Sequence, residues 1–276
     1  MSTKQVFISI IGLLVLLVLA LGLMLLVGSK APSTVTTTAT SSAVKISPIL
    51  GATSTESGDY HYVDNQPYYT VDITYPAQLS LAPDASTKAE RVIEQALSDD
   101  ITQFKKDGDF ANLTAADVAT QGLGADRKYA FGATYEKYEG ANTASYTFLV
   151  YEDTLGAHPN SFYQTFTFDQ QGNQLQLADI FKPGSNYLSV LSPLAYQGVV
   201  SQLKDKEGTA PGSDELDTAR VGTEPSPEAL QFFYINGATL HLLFPPYQVA
   251  AYAAGAFDVP IPMSQLSAIT NRAREK

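Results

Sequence analysis

A long uncharged apolar segment near the start of the chain constrains its fold and location more than any other sequence feature. The segment runs from Val6 to Val27 and contains no charged side chain. As an α-helix with a rise of about 1.5 Å per residue it spans about 33 Å, which matches the roughly 30 Å hydrocarbon core of a bilayer. We therefore predict one transmembrane helix over residues 6–28, preceded by residues 1–5 as a tail.

Two interpretations of this segment remain open. Ser29, Lys30 and Ala31 resemble the cleavage site of a signal peptide, but an apolar core this long exceeds the usual roughly 7 to 15 residues, so an uncleaved signal anchor is favoured. Lys4 and the α-amino group indicate that the tail is cytoplasmic. Both interpretations export the rest of the chain. The signal anchor predicts a single-pass protein of the cell membrane with an extracytoplasmic C-terminal domain.

Composition excludes several classes of function. The chain has 28 acidic residues against 17 Lys and Arg, a net charge of −11, so it repels phosphate backbones and nucleic-acid binding is not expected. Without cysteine there is no disulfide, thiolate nucleophile or cysteine-ligated zinc. The three histidines, His61, His158 and His241, lie far apart in the sequence and form no metal-binding motif. We therefore predict neither a metal nor a cofactor.

The exported part divides by composition and periodicity. Residues 29–58 are rich in Ser and Thr and contain little to bury, which predicts a flexible linker. Two consecutive groups of strands and helices follow, over residues 59–170 and 171–272. This pattern is typical of an α+β fold, with antiparallel sheets and packed helices in two consecutive subdomains.

In the first group, apolar and polar residues alternate from Tyr69 to Tyr75, which is the two-residue period of a half-buried strand. An amphipathic helix that starts at a capping box of Thr87 and Glu90 is expected next. A short helical segment and three further strands complete this group. They are predicted near residues 114–119, 129–135, 146–150 and 162–168.

In the second group, helical spacing predicts a helix over residues 186–206 in spite of Pro193. The charged, Gly-rich stretch 205–227 predicts a surface loop with at most a brief helical turn. Asn236 and Gly237 predict a type I′ hairpin turn between two strands. Extended segments over 249–254 and 257–261 and a terminal helix from Ser264 to about residue 273 are expected after it.

Several motifs carry a family resemblance. They are Phe168-Asp169 with Gly172-Asn173, Leu177-x-Asp179-Ile180-Phe181, Tyr247-x-Val249-Ala250-x-Tyr252-Ala253-Ala254-Gly255 and the upstream Gly156-Ala157-His158. With them, residues 60–265 resemble the RsiV/PdaC-type exported domain pair, in which a domain of unknown function 4163 precedes a domain of unknown function 3298. The chain departs from that family at Leu155, where a glycine is common, and at Ala251, where a proline is common.

The resemblance implies an envelope-facing binding module for lysozyme-like proteins or for wall glycan, with no catalytic residues known for the paired domains. Within the motifs, Tyr247 and Tyr252 are candidate binding residues, because an aromatic face pairs with the apolar face of a sugar. A purely structural corner around Gly255 is the alternative.

Two further residues are candidates for the binding site. His158 can contact a ligand or act as a general base beside Glu152 or Asp153, since imidazole titrates near neutrality. Alternatively, its ring nitrogens bond the backbone and hold a turn. Asp179 can bind a ligand, or it can accept backbone N–H bonds before a helix.

These observations favour a non-enzymatic binding module anchored to the membrane by its N-terminal helix. The predicted partner is a cationic wall-active protein such as lysozyme, or peptidoglycan. Beyond Lys30 the chain carries 28 acidic and 15 basic residues, a net charge of −13, which suits a cationic partner. The alternative is a peptidoglycan-modifying hydrolase or a deacetylase-like enzyme that uses His158.

Overall fold

The computed structural model describes residue 49 and residues 51–271. The predicted tail, the transmembrane segment and most of the linker lie outside these residues. Among the residues described, no helix is both long and apolar enough to cross a bilayer. The transmembrane helix therefore stays a prediction.

Seven strands form the first sheet, in which spatial order follows chain order. They are β1 (Thr53–Ser54), β2 (Asp59–Asn65), β3 (Tyr69–Pro76), β4 (Tyr129–Glu139), β5 (Thr143–Asp153), β6 (Asn160–Asp169) and β7 (Gln174–Leu175). The four strands predicted from alternation are β3 to β6. Strands β1 and β2 precede them, and β1 lies within the stretch predicted as linker.

One pair of strands departs from the antiparallel sheet expected from the sequence. Strands β3 and β4 pair in parallel, whereas the other neighbours are antiparallel. Two helices lie between them, α1 (Pro83–Asp107) and α2 (Ala115–Gln121). A connection of this length returns the chain to the end where β3 began, which a tight turn cannot do. The architecture is therefore α+β with a mixed first sheet.

Helix α1 covers one face of the first sheet. Its buried residues recur at helical spacing and are Ala85, Ser86, Ala89, Ile93, Leu97, Ile101 and Phe104. Most of them share one core with the inward residues of β3 to β6. The predicted start at Thr87 is wrong. The helix begins at Pro83, because the fixed φ of proline suits the first turn and its missing N–H is not needed there.

The C-terminal half packs a second core on a three-stranded antiparallel sheet. Its elements are α3 (Tyr187–Glu207), α4 (Ser213–Gly222), β8 (Phe233–Asn236), β9 (Thr239–Phe244), β10 (Phe257–Pro262) and α5 (Met263–Leu266). The strand order is β10–β9–β8, so β8 is an edge strand. Helix α3 continues through Pro193 as predicted, and its apolar stripe packs on this sheet.

Helix α4 shows that the loop predicted over residues 205–227 is wrong. Asp214 and Glu215 lie in its first turn and Arg220 in its last, which complements the helix dipole. Gly222 ends the helix against the backbone of Gln248, whose carbonyl oxygen would lie 2.1 Å from an added Cβ. This tertiary contact joins residues distant in sequence, and local composition gives no sign of it.

The hairpin between β8 and β9 is confirmed, but its turn is not type I′. Asn236 pairs with Thr239, so Gly237 and Ala238 form the two-residue turn. Gly237 has a φ of 57°, whereas Ala238 is not among the residues with positive φ. A type I′ turn requires positive φ at both central residues, which excludes it here.

Two other predictions for the C-terminal half are wrong. Residues 249–254 form no strand, and a 3-10 helix occupies Tyr252–Ala254. The terminal helix ends at Leu266 instead of near residue 273. Residues 267–269 form a turn, after which Thr270 forms a β-bridge with Phe181 and the N–H of Asn271 donates to the carbonyl of Ile180.

The second sheet contacts the outer face of the first through the free edge of β8. The N–H groups of Phe233 and Ile235 donate to the hydroxyls of Thr165 and Ser145, at 3.3 and 3.1 Å. Ser145 also shares a 3.0 Å hydrogen bond with Thr167. Because Ser145 lies on β5 and Thr165 on β6, β8 crosses neighbouring strands of the first sheet. All described residues belong to one compact unit.

A half-buried carboxyl lies between α1 and the inner face of the first sheet. The amide Nε2 of Gln164 on β6 donates to Asp100 of α1 at 2.6 Å. Burial, opposed by this hydrogen bond and reinforced by the charges of Asp99 and Glu152, raises the pKa of Asp100 to about 6. The Oε1 atom of Gln164 is buried and has no hydrogen-bond partner among the described residues. Position 100 therefore favours a neutral side chain that can also donate a hydrogen bond to Oε1 of Gln164.

We expect Ser145→Ala to destabilise the fold by about 1 to 3 kcal/mol, because it leaves the N–H of Ile235 buried without an acceptor. Urea unfolding measures the loss. Ser161→Ala is the matched control, because Ser161 of β6 lies on the same outer face of the first sheet as Ser145 and makes no side-chain hydrogen bond among the described residues. Its effect on the free energy of unfolding should stay within about 0.5 kcal/mol. Equal effects of the two substitutions would contradict the role of the β8 edge.

We expect Asp100→Asn to stabilise the fold at pH 7 by about 1 to 2 kcal/mol. The raised pKa of Asp100 means that its contribution to stability is present at low pH and is lost as pH rises through about 6. Asparagine stays neutral and offers Gln164 a donor, so the pH-dependent loss should shrink. Glu94, whose pKa burial and the charge of Glu90 raise to about 7, should keep a residual slope.

Thermal unfolding from pH 4 to 8 checks this expectation. Asp99→Asn is the control, because Asp99 is exposed and its removal relieves only a part of the charge repulsion on the Asp100 carboxylate. An Asp100→Asn variant as pH-dependent as the parent chain would contradict the assignment.

Candidate functional site

Three of the four predicted site residues meet at one end of the molecule. Nδ1 of His158 lies 2.9 Å from the carbonyl oxygen of Pro159, which can only accept, so Nδ1 carries the ring proton. Nε2 is then an acceptor, and the hydroxyl of Tyr247 donates to it at 2.8 Å. The His158 ring stacks on Tyr252 with centroids 4.2 Å apart, and the Tyr252 hydroxyl donates to the same Pro159 carbonyl at 3.2 Å.

Two strained positions hold this cluster in place. Leu155, in the turn between β5 and β6, has a φ of 61°, and its N–H donates to the Asp153 carboxylate at 2.8 Å. Glycine adopts this left-handed conformation without the steric cost that a leucine side chain brings. Tyr247 has a φ of 73° in the turn after β9. Such backbone conformations are costly for residues with side chains, and they recur at functional sites.

The cluster continues along the outer face of the first sheet. Leu149 and Tyr151 of β5 are 45% and 40% exposed, which is unusual for large apolar side chains on a sheet. Tyr163 of β6 pairs with Leu149 in register. Tyr252 is close enough to Tyr151 to contribute to its raised pKa, after the larger effect of burial. We call Leu149, Tyr151, Tyr163, Tyr247 and Tyr252 the tyrosine strip.

A second polar group lies at the other end of the strip, on the three-stranded sheet. His241 donates from Nδ1 to Oδ1 of Asp258 at 2.8 Å, and the hydroxyl of Tyr234 donates to Oδ2 at 2.6 Å. The rings of Tyr234 and His241 stack with centroids 4.3 Å apart. Tyr138 of the first sheet stacks on the other side of Tyr234, at 4.0 Å. We call Tyr234, His241 and Asp258 the β-sheet triad.

Burial and neighbouring carboxylates raise the pKa of the phenols around Asp258. Burial and the hydrogen bond to Asp258 raise the pKa of Tyr234 far above its usual range. Burial first, and then the charges of Asp258 and Glu136, raise the pKa of Tyr163. Burial and the hydrogen bond to Glu136 raise the pKa of Tyr138 to about 12. These phenols are therefore hydrogen-bond donors at neutral pH.

Asp179 is not part of either group. Its carboxylate accepts the N–H of Gln176 at 2.8 Å and caps the 3-10 helix Leu177–Ile180, as its alternative interpretation predicted. That helix follows β7, which pairs with the last residues of β6. His158 precedes the first residue of β6, whose ten residues span about 33 Å. Asp179 and His158 thus lie at opposite ends of the sheet.

The β-sheet triad was missed at the sequence level. The alternation of His241 with Leu240 and Leu242 along β9 is consistent with an outward position, and its side chain is 16% exposed beside a 43% exposed Asp258. Tyr234, His241 and Asp258 lie on three different strands, and strand pairing alone brings them together. A polar residue at an outward position in each strand was the only available signal.

Neither a metal motif nor the main cavities lie in these groups. Within residues 51–271, no three His, Asp or Glu side chains are placed to hold a metal ion. One cavity of about 410 Å³ lies near Tyr69 and Lys105. Lys105 is paired there with Asp64 at 2.7 Å. A cavity of about 400 Å³ lies beside Thr143 and has mostly apolar walls. The tyrosine strip is an open surface, which suits an extended ligand better than a small enclosed one.

Two named proteins are similar to this chain in sequence. Esterase Rv3036c of Mycobacterium tuberculosis is 27% identical over 222 residues, which cover 79% of this chain and 85% of that protein. Peptidoglycan-N-acetylmuramic acid deacetylase PdaC of Bacillus subtilis is 34% identical over 128 residues. That match covers 46% of this chain and only 26% of PdaC.

Two solved structures share the fold. A DUF3298 family protein (PA4972) from Pseudomonas aeruginosa PAO1 has a TM-score of 0.52 at 15% identity, and a member of the same family (BF2082) from Bacteroides fragilis has 0.53 at 17%. Each alignment covers 77% of this chain and 92% of the other. The predicted likeness to RsiV and to a domain of the 4163 type stays a prediction. Residues 178–264 match the family described as protein of unknown function, DUF3298, and the chain therefore contains a DUF3298 domain.

Proposed function

We propose that this protein is a membrane-anchored, extracytoplasmic module that binds the glycan of the bacterial cell wall through the tyrosine strip. The observation that carries the proposal is the exposed aromatic surface around Tyr247, whose side chain is 58% exposed and yet is held by a hydrogen bond to His158. A rigid ring presents its face to a ligand without a further loss of conformational entropy.

The chemistry of the strip suits a sugar chain. Aromatic faces pack on the apolar faces of sugar rings, while phenol hydroxyls can hydrogen-bond the sugar hydroxyls. Leu149 and Tyr151 extend the surface along β5, so consecutive sugars can occupy consecutive positions. The name of the relative PdaC, a peptidoglycan deacetylase, agrees with wall glycan as the ligand.

A cationic wall-active protein such as lysozyme is the second candidate partner. The observation that favours it is the net charge of −13 beyond Lys30. Complementary charge accelerates association and makes binding weaken with salt. Binding to a peptide-free glycan should lack that salt dependence, so the two partners are separable by experiment.

A hydrolase based on His158 is less compatible with the geometry. Both ring nitrogens of His158 are engaged, by Pro159 and by Tyr247. Neither Glu152 nor Asp153 forms a hydrogen bond with its ring among the described contacts. His158 is therefore better placed to orient the aromatic cluster than to act as a base.

We expect Tyr247→Ala to weaken binding of peptide-free N-acetylglucosamine–N-acetylmuramic acid oligosaccharides about tenfold, because it removes the most exposed ring of the strip. Titration calorimetry on the full chain in detergent measures the affinity. Val221→Ala is the matched control, since Val221 is 68% exposed on α4 and is not a residue of the strip, and its truncation should leave binding unchanged.

The same titration with lysozyme at low and high salt tests the second partner. Binding of lysozyme alone, weakening with salt, would replace glycan by protein as the ligand. No heat with either ligand would refute the binding function.

A further inference from the structure

The β-sheet triad has the geometry of an oriented general base. The carboxylate of Asp258 accepts the Nδ1 proton of His241 at 2.8 Å, which leaves the lone pair of a neutral imidazole on Nε2. Among the described residues, Nε2 of His241 has no hydrogen-bond partner. A histidine held in this tautomer can take a proton from a water molecule at its free nitrogen.

The ring of His241 is fixed as well as correctly protonated. Tyr234 stacks on it at 4.3 Å with an interplanar angle of 16° and also holds the second oxygen of Asp258. Tyr234 itself is only 4% exposed and is clamped from the other side by Tyr138. Such support preorganises a catalytic group. His158 lacks such support, because no carboxylate among the described residues forms a hydrogen bond with its ring.

The triad adjoins the tyrosine strip. Phe233, the neighbour of Tyr234, donates its N–H to Thr165 at 3.3 Å, and Thr165 lies two residues from Tyr163 on the same face of β6. Burial, and after it the charge of Asp258, raises the pKa of Tyr163. Tyr163 pairs in register with the exposed Leu149. A ligand on the strip can therefore reach the side of the three-stranded sheet that carries His241, whose side chain is 16% exposed.

We infer that His241 is the general base of a hydrolytic site, positioned by Asp258 and Tyr234, that cleaves O-acyl esters of sugars resting on the tyrosine strip. Nε2 takes a proton from water while the water oxygen bonds to the acyl carbon. The tetrahedral adduct then collapses, and the bond between the acyl carbon and the sugar oxygen breaks. The imidazolium returns its proton to that oxygen, so the products are a carboxylic acid and the free sugar hydroxyl.

An ester is the substrate class that this set of groups suits. The triad holds a base and phenol donors, and no described contact joins a serine hydroxyl to His241, so water is the nucleophile. The sugar oxygen of an ester leaves the tetrahedral adduct more readily than the nitrogen of an amide. One histidine that takes a proton from water and returns it to the leaving oxygen is therefore enough for an ester. Neighbouring phenols such as that of Tyr163 are the donors available to a developing oxyanion.

The test measures acetate release from 6-O-acetyl-N-acetylglucosamine and nitrophenol release from p-nitrophenyl acetate by the full chain in detergent. We expect His241→Gln to lower kcat/KM by about 100-fold with little change in KM, and Asp258→Asn to lower it by at least about 10-fold. The wild-type rate should rise with pH as one group loses its proton, and Asp258→Asn should shift that profile, which a purely structural role would not do.

A second histidine–aspartate pair supplies the matched control. Nε2 of His61 lies 2.8 Å from Asp72, with side chains 38% and 61% exposed, and the pair is at least two strands from Tyr151 on the outer face of the first sheet. His61→Gln should leave both rates unchanged. This control separates the triad from unspecific imidazole catalysis.

Several outcomes would overturn the assignment. They are wild-type rates no higher than those of imidazole at equal concentration, full activity in a folded His241→Gln chain, or equal losses in His61→Gln. Should His241→Gln unfold, a wild-type rate that is flat between about pH 5 and 8 overturns it instead. Cleavage of the nitrophenyl ester without the sugar ester would refute the substrate class. Because the small esters need no wall polymer, failure of glycan binding would leave the base assignment standing.

Discussion

The covered edge of β8 is the constraint on which the rest of the molecule depends. A three-stranded sheet that ended in bare N–H groups would be poorly stable and open to pairing with other chains. Here the hydroxyls of Ser145 and Thr165 accept the N–H groups of that edge. They can do so only if β8 crosses the outer face of the first sheet. That crossing determines which residues of the two halves become neighbours.

Both polar groups follow from this arrangement. One face of the second sheet joins the apolar core under α3, and the other carries Tyr234, His241 and Asp258 toward the outer face of β4 to β6. The chain after β9 then reaches the turn between β5 and β6, where Tyr247 meets His158. The tyrosine strip and the triad are therefore parts of one surface, and this proximity supports the proposal that the ligand is an acylated sugar.

The spacing of apolar residues predicted most helices and strands, because burial of one face requires alternation in a strand and helical spacing in a helix. Strands β3 to β6, helices α1 and α3 and the β8–β9 hairpin were all expected, and so was the role of Asp179 as a cap. The failures share a cause. Helix α4, the irregular path of residues 249–254 and the early end of the terminal helix each depend on contacts such as Gly222 with Gln248, which join residues far apart in the chain.

By itself, the sequence determined the acidic charge, the absence of thiol chemistry, the α+β class and the interest of the motif around Tyr247 and Tyr252. Composition and local spacing suffice for these, because they depend on each residue and its near neighbours. Only the tertiary structure decided that His158 orients tyrosines and that His241 meets Asp258. Strand pairing and sheet packing bring together residues from separate strands. The hydrogen bonds that these residues then form determine the role of each, and local sequence pattern does not predict those bonds.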